Sequence, residues 1–319
     1  MQMVRLVDAH CHLADKRLAV ADVGSLIGAA ANAGVCAFAV NGTSEEDWEL
    51  VKEMSETHSS VIPNFGLHPW FAGKCTSNWL PILKGFFEAV PSAAVGEIGL
   101  DKGCPQGKAV DFALQKEVFR QQLELGMQLQ RPISVHCVSA FGELHAIIEE
   151  MGTFPAGIIL HSYMGSAEMV QRLAKFGAYF SFSGFITFKK LQEARKIVRA
   201  VPTDRILLET DAPDALPHLN LGSLVWVPGD PLVPLEFQEK LQYQLRSDTV
   251  SNEYATPVQD NRLKGFDSSV QKKALNHPAN IYTVLKYVAN LLEISDEKLA
   301  QISYENAVRV FSYSGSKLC

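Results

Sequence analysis

Short apolar runs rich in β-branched residues recur along the chain, and longer segments with apolar positions at helical spacing separate them. The first run, Met3-Val4-Arg5-Leu6-Val7, is bounded by polar residues and reads as a buried strand. Val20 to Ala33 reads as a helix closed by Gly34, and Val35 to Val40 as the second strand. Ser44 is placed to cap a helix through Glu56, with the acidic turn Glu45-Glu46-Asp47 suiting the helix dipole. Val61 to Leu67 is the third strand, Trp79 to Val90 a helix, and Ala93 to Gly96 the fourth strand. Ala109 to Gln130 has strong helical periodicity, with Phe112, Val118, Phe119, Leu123 and Leu125 among its apolar positions. Pro132 to Val135 is the fifth strand, followed by a helix from Phe141 to Met151. Gly157 to Leu160 is the sixth, with its helix from Ala167 to Phe176. Ala178 to Phe182 is the seventh, Leu191 to Val201 is helical, and Arg205 to Leu208 is the eighth.

Eight strands alternating with helices predict an α/β fold of the parallel (β/α)₈ TIM-barrel type, with a doubly wound open sheet as the competitor. The first βα turn lacks G-x-G-x-x-G, which disfavours a dinucleotide-binding sheet. Beyond the eighth strand the alternation breaks. Ala212 to Leu275 is rich in polar residues, Gly and Pro, including Pro213, Pro217, Pro228, Pro231 and Pro234. The chain is therefore read as one barrel domain over 1–319, with 212–275 a loop insertion over the catalytic mouth. Helical patterning returns from Asn280 to Leu292 and from Asp296 to Phe311.

A chain of 319 residues that is 47% hydrophobic and 20% charged has ample material for one large core. With 29 basic and 35 acidic residues the net charge is −6, so no global basic surface holds a polyanion. A nucleic-acid substrate would need a local site, or the positive charge of a bound metal. Six cysteines, Cys11, Cys36, Cys75, Cys104, Cys137 and Cys319, form no CxxC pair. That argues against a zinc knuckle or disulfide scaffold and for reduced thiols. No apolar signal segment precedes the first strand, and no stretch is long and apolar enough to cross a membrane. A cytoplasmic protein, or a nuclear one, is expected.

The polar residues at the strand ends carry the chemistry. His10 and His12 project to one side of a strand and can clamp one cation, although His-x-His alone equally fits a surface pair at a strand-to-loop junction. Strand three runs into Gly66-Leu67-His68-Pro69-Trp70, and strand four into Gly96-Glu97-Ile98-Gly99-Leu100-Asp101. Strand five ends in His136, strand six in His161, and strand eight in Glu209-Thr210-Asp211. In a parallel barrel these ends meet at one face. Alone, His136 reads as a satisfied buried histidine, while Glu97 and Asp211 would be costly unpaired charges in apolar stretches. A divalent site shared by His10, His12, Glu97, His136, His161 and Asp211 removes the objection for all six. Imidazole and carboxylate ligands without thiolates fit Zn²⁺ or Mn²⁺ and leave Mg²⁺ open. Six ligands exceed what one tetrahedral zinc needs, so two divalent ions bridged by Glu97 are expected. Such a pair can activate water near neutral pH and stabilise both oxygens of a phosphoryl displacement.

These motifs in this order resemble the TatD family of metal-dependent deoxyribonucleases, within the amidohydrolase-like barrels. The resemblance rests on Asp8-Ala9-His10-Cys11-His12-Leu13, Gly66-Leu67-His68-Pro69, Gly96 to Asp101 and Gln115 to Leu129. It continues through Pro132 to His136, His161-Ser162-Tyr163-Met164-Gly165-Ser166, Leu207 to Pro213 and Asn276 to Val288. It implies that His10, His12 and Asp211 hold one metal, that Glu97 bridges, and that His136 and His161 hold the second. It further implies Asp211 and Glu97 as catalytic residues, with Asp211 orienting or deprotonating the attacking water, and His68 near the substrate phosphate. A histidine at the turn before Pro69 is the other reading of His68. Asp101 and Glu209 are weaker candidates, as partners that orient ligating histidines. DNA is the implied substrate, and a monomer or weak oligomer the implied state.

There are departures. The family often carries an arginine after the strand-five histidine, where this chain has Cys137-Val138-Ser139. Asp211-Ala212-Pro213 continues into Asp214-Ala215-Leu216-Pro217 rather than a short basic loop, and the usual Asn-Glu-Pro is Asn276-His277-Pro278. Two alternatives stay open. One is an amidohydrolase acting on a small amide, lactone or ester, disfavoured by the absence of a strand-four lysine. The other is a barrel that binds nucleic acid or protein without catalysis, disfavoured by the full ligand set.

Overall fold

Eight strands pair in parallel and in sequence order: β1 Leu6–Cys11, β2 Val35–Asn41, β3 Val61–Phe65, β4 Ala94–Asp101, β5 Ile133–Val138, β6 Ile158–Leu160, β7 Ala178–Phe182 and β8 Ile206–Leu208. The computed structural model describes residues 4–219, 221–238 and 273–318. Helices follow the strands: α1 Val23–Asn32, α2 Trp48–Thr57, α3 Trp79–Ala89, α4 Pro105–Lys108, α5 Phe112–Leu129, α6 Phe141–Met151, α7 Ala167–Ala174 and α8 Leu191–Ala200. Short α9, Leu235–Gln238, precedes α10, Ile281–Leu292, and α11, Asp296–Phe311. The predicted TIM barrel is the observed architecture. Every crossover carries its chain back to the same end, which is how a parallel sheet closes on itself.

Closure is made where the first and last strands meet. The Asp211 N–H donates to the His10 carbonyl at 2.9 Å, and the His12 N–H to the Ala212 carbonyl at 2.7 Å. Asp8 fastens the same seam, accepting the Thr210 N–H at 2.9 Å and the Thr210 hydroxyl. Burial pushes the Asp8 carboxyl up to about 8, against the pull of these hydrogen bonds. Asp8→Ala strands two buried donors but also relieves that burial cost, so we expect a net loss of about 2 kcal/mol. Urea unfolding measures it, and an unchanged midpoint would remove Asp8 from the closure.

The core has two layers. Between strands and helices lie Phe38, Trp48, Phe65, Phe119, Leu144 and Leu285. A second cluster draws Val7, Ala9, Ala37, Ala39, Ile62, Ala94, Ile159, Tyr179 and Leu207 from seven strands, together with Val310 and Phe311 of α11. Residues from so many strands can touch only inside the barrel, so the C-terminal helix plugs its N-terminal end.

Several boundaries differ from the sequence reading. The first, fourth and fifth strands run on to include His10, Glu97 with Asp101, and His136. Their ladders continue through the polar residues, as in Gly99 opposite His136 and Asp101 opposite Val138. Ser44 does not cap α2. Asp47 is its N-cap, and its carboxylate turns back to accept the Thr43 and Ser44 N–H groups at 2.9 and 3.1 Å. The predicted helix 20–33 begins later, at Val23, because Asp22 accepts the Ser25 N–H at 2.9 Å. Of the expected insertion 212–275, residues 220 and 239–272 lie outside the described residues. The remainder packs Leu216, Leu224, Trp226, Val233 and Ala274 together, and Asn276 donates to the Thr210 carbonyl at 2.9 Å. No described helix is long and apolar enough to cross a membrane. The five described cysteines are free.

Candidate metal centre

Glu97 reaches the barrel mouth because β4 lies flush against β5 on either side of it. Gly99 has φ +152°, and a Cβ there would sit 2.0 Å from the His136 carbonyl oxygen. At Gly96, φ is +151° and a Cβ would meet the Ser134 Cβ at 2.7 Å. Only glycine tolerates both the backbone angle and the approach.

The two Glu97 oxygens divide the cluster. Oε2 faces His12 Nε2 at 3.1 Å and His10 Nε2 at 3.6 Å. Oε1 faces His161 Nε2 at 2.8 Å, His136 Nδ1 at 3.0 Å and His68 Nε2 at 3.4 Å. Asp211 Oδ1 joins the first half, 3.6 Å from His12 Nε2 and 3.8 Å from His10 Nε2. His10 and His12 bring their Nε2 atoms to 3.1 Å, while Cys11 between them points its sulfur at the Ala39 carbonyl. The halves adjoin, since the His10 and His161 rings stack at 3.9 Å. All six side chains expected to share cations are thus gathered at one end of the barrel, with His68 beside them.

Hydrogen bonds on the far ring nitrogens sort the histidines. His12 donates from Nδ1 to the Asn41 carbonyl at 3.1 Å, which leaves Nε2 with a lone pair facing the cluster. His136 faces Asp101 through Nε2 at 3.3 Å, which turns Nδ1 toward Glu97, and Asp101 is itself held by the Trp70 indole N–H at 2.6 Å. His161 turns Nδ1 toward Glu209 at 3.5 Å, an ion-pair distance without a hydrogen bond, and His10 turns Nδ1 to the Ser134 hydroxyl at 2.8 Å. His68 is opposite in sense. Its Nδ1 accepts the Trp70 N–H at 3.2 Å, so Nε2 carries the proton and donates toward Glu97. That places His68 in the cluster as a donor rather than a lone-pair ligand.

The electrostatics follow from burial and neighbours. Burial would raise Glu97, but His68, His161, His10 and His12 hold it well below the usual carboxylate range. Burial and the His161 charge lower His10 to about 3, and burial brings His68 to about 4. Burial also opposes charge on His12, yet Glu97 and Asp211 outweigh it and raise His12 to about 9. His161 is raised in the same way by Glu97 and Glu209. Asp211 is pushed up to about 7 by burial.

The donor set fits divalent cations. Imidazole and carboxylate atoms of His10, His12 and Asp211, and of His10, Glu97 and His161, each lie within 4.8 Å of one another, and His136 stands beside Glu97 with His68. Among the described residues, the ion-pair partners of Glu97 and Asp211 are all histidines. Two buried carboxylates answered only by imidazoles are a costly arrangement unless a cation joins them.

The orienting partners were only partly legible. Asp101 and Glu209 stood out as strand-end carboxylates. Ser134 and the Asn41 carbonyl did not, because nothing in a sequence marks a backbone oxygen or a strand serine for this role. Ser162 was also missed; its N–H and hydroxyl both reach Glu209 at 2.7 Å.

Comparison with known proteins identifies the family and the fold. The family of TatD related DNases matches residues 7–312. YabD of Bacillus subtilis, an uncharacterized metal-dependent hydrolase, is 28% identical over 306 residues, covering 96% of this chain and 98% of its own. Deoxyribonuclease Tat-D of Schizosaccharomyces pombe is 26% identical over 305 residues, covering 91% and 88%. In fold, the crystal structure of YjjV, a TatD homologue from Escherichia coli, superposes with a TM-score of 0.75 at 22% identity, covering 98% of this chain and 100% of its own.

Proposed function

Because this chain belongs to the family of TatD related DNases, we propose that it is a metal-dependent hydrolase that cleaves the phosphodiester bonds of DNA. The observation that carries this reading is Glu97, whose two oxygens face separate sets of ring nitrogens. His10, His12 and Asp211 would hold one divalent ion, His136 and His161 a second, and Glu97 would bridge. Bound there, Mg²⁺, Mn²⁺ or Zn²⁺ would supply Lewis-acid charge to the scissile phosphate and lower the pKa of water.

The protein's own groups do the rest. Asp211 accepts the proton of the attacking water as the water oxygen bonds to phosphorus and the bond from phosphorus to the leaving sugar oxygen breaks. His68, neutral above about pH 4, offers its Nε2 proton at the mouth, where it can hydrogen-bond a phosphate oxygen. Asn41, Asp101 and Ser134 keep the ligating rings oriented, so little reorganisation is needed during reaction. The test is cleavage of DNA by purified protein with added divalent ion and with excess chelator. Cleavage confined to the metal-loaded sample is expected. Full activity in chelator, or hydrolysis of amides and lactones with DNA left intact, overturns the assignment.

Proton competition sets a pH dependence. A cation entering the first half displaces protons from His12, raised to about 9, and from Asp211, raised to about 7. Both groups are protonated below pH 7 and progressively released above it, so affinity rises with pH. Competition with a chromophoric chelator should give apparent binding tighter by about tenfold or more at pH 8 than at pH 6. Affinity flat across that range would remove these two groups from the ligand set.

A further inference from the structure

The end of the barrel opposite the carboxylates and imidazoles carries a second, differently charged site. Two adjoining hollows of about 510 and 490 Å³ open where strands β5 to β8 begin, and both are lined by Phe154, Pro155, Ala156, Arg309 and Val310. Lys175 and Arg205 line the first, Arg131 the second, and no Asp or Glu lines either. In a chain of net charge −6, four cations around one groove are a local reversal of sign.

Three of the four cations are held mainly by aromatic rings and neutral oxygens. The Arg205 guanidinium lies over the Tyr179 ring at 4.8 Å, and that of Arg131 over the Tyr313 ring at 4.6 Å. Arg309 donates to two neutral oxygens, the Asp204 carbonyl at 3.3 Å and Asn306 Oδ1 at 3.2 Å. Arg131 likewise donates to the Ser314 carbonyl. One carboxylate approaches from outside the lining, with Asp204 Oδ2 3.6 Å from Arg205 Nε and mostly exposed. The N-terminal face of a barrel usually serves stability. Stability, however, does not call for four like charges around an open hollow.

We propose that this groove binds a phosphate monoester of mononucleotide size. Guanidinium forks match phosphate oxygens in geometry and charge. Each hollow is of the size that holds a small organic molecule, and is larger than phosphate alone requires. Phe154, Pro155, Ala156 and Val310 provide an apolar wall for the rest of the ligand. The assignment is independent of what the metal centre cleaves.

Titration calorimetry of the metal-loaded protein with inorganic phosphate and with uridine 5′-monophosphate tests it. The nucleotide should bind at least tenfold more tightly than phosphate. Lys175 and Arg309 are exposed side chains, so Lys175→Gln/Arg309→Gln should keep the fold and melting temperature yet weaken both ligands at least tenfold. Ala156→Trp fills the apolar wall without touching charge and should abolish the preference for nucleotide over phosphate. Glu97→Gln, at the other end of the barrel, removes phosphate binding that belongs to the metal centre and should leave the Lys175- and Arg309-dependent binding in place. Equal affinity in the double variant, or loss only in Glu97→Gln, overturns the proposal. Equal binding of phosphate and nucleotide reduces the groove to a phosphate site and overturns the nucleotide assignment. A single-stranded oligonucleotide that binds more tightly than the mononucleotide, with the same dependence on Lys175 and Arg309, makes the groove a strand track instead.

Discussion

Glu97→Gln is expected to lower metal-dependent hydrolysis by about 10³-fold or more, with metal content falling from two ions per chain toward one. The substitution keeps the volume and one acceptor oxygen but removes the charge. Glu97 is the carboxylate that faces both halves among the described residues, with five histidine nitrogens within 3.6 Å of its oxygens. A neutral amide offers at most one acceptor to one half and a pair of donors to the other, where lone pairs already converge. The histidines then lose the charge that raises His12 and His161, and a cation loses its bridge. Elemental analysis of purified protein and a single-turnover cleavage assay read the two effects. Two ions retained at full occupancy with near-normal rates would show that Glu97 does not bridge.

Gly99→Ala should cost on the order of 4 kcal/mol in stability, and it should take the metal centre with it. The new methyl would stand 2.0 Å from the His136 carbonyl oxygen, a backbone atom that cannot swing aside. Strands β4 and β5 would have to separate between Ile98–Val135 and Leu100–Cys137, where their ladder is continuous. Glu97 sits two residues upstream, and His136 is the strand partner of Gly99 itself. Gly85→Ala in helix α3 is the matched control, because nothing lies within 4 Å of a Cβ there. That change should be neutral or stabilising by about 0.5 kcal/mol. Urea unfolding compares the two, and a Gly99→Ala midpoint within error of the control would refute the close packing.

The barrel was legible because a parallel sheet with helices on its outside leaves a simple trace, apolar strand then amphipathic helix, repeated eight times. Phe141–Met151 and Ala178–Phe182 fall where the pattern ends them. The strands that carry the site were read too short. Apolarity marks a strand only while its side chains pack on core, whereas β4 continues through Glu97 and Asp101 with only the alternate residues Ile98 and Leu100 in the core. The donors themselves were legible, since a carboxylate between glycines or a histidine closing an apolar run is out of place without a partner. The sense of each imidazole was not. Whether a ring offers a lone pair or a proton depends on Asn41, Ser134 or Trp70, which arrive from other strands and loops.

The seam between the first and last strands has a consequence for the order in which the centre can come into being. Glu97, His136 and His161 lie on neighbouring strands from the middle of the chain, and their ladders need no residue from either end. His10, His12 and Asp211 meet only when β1 and β8 join, across 202 residues of sequence between Asp8 and Thr210. Contacts so distant along the chain form late. A ribosome must therefore deliver almost the whole barrel before His10, His12 and Asp211 can meet. Until then the growing polypeptide can bring together only Glu97, His136 and His161 of the six donors.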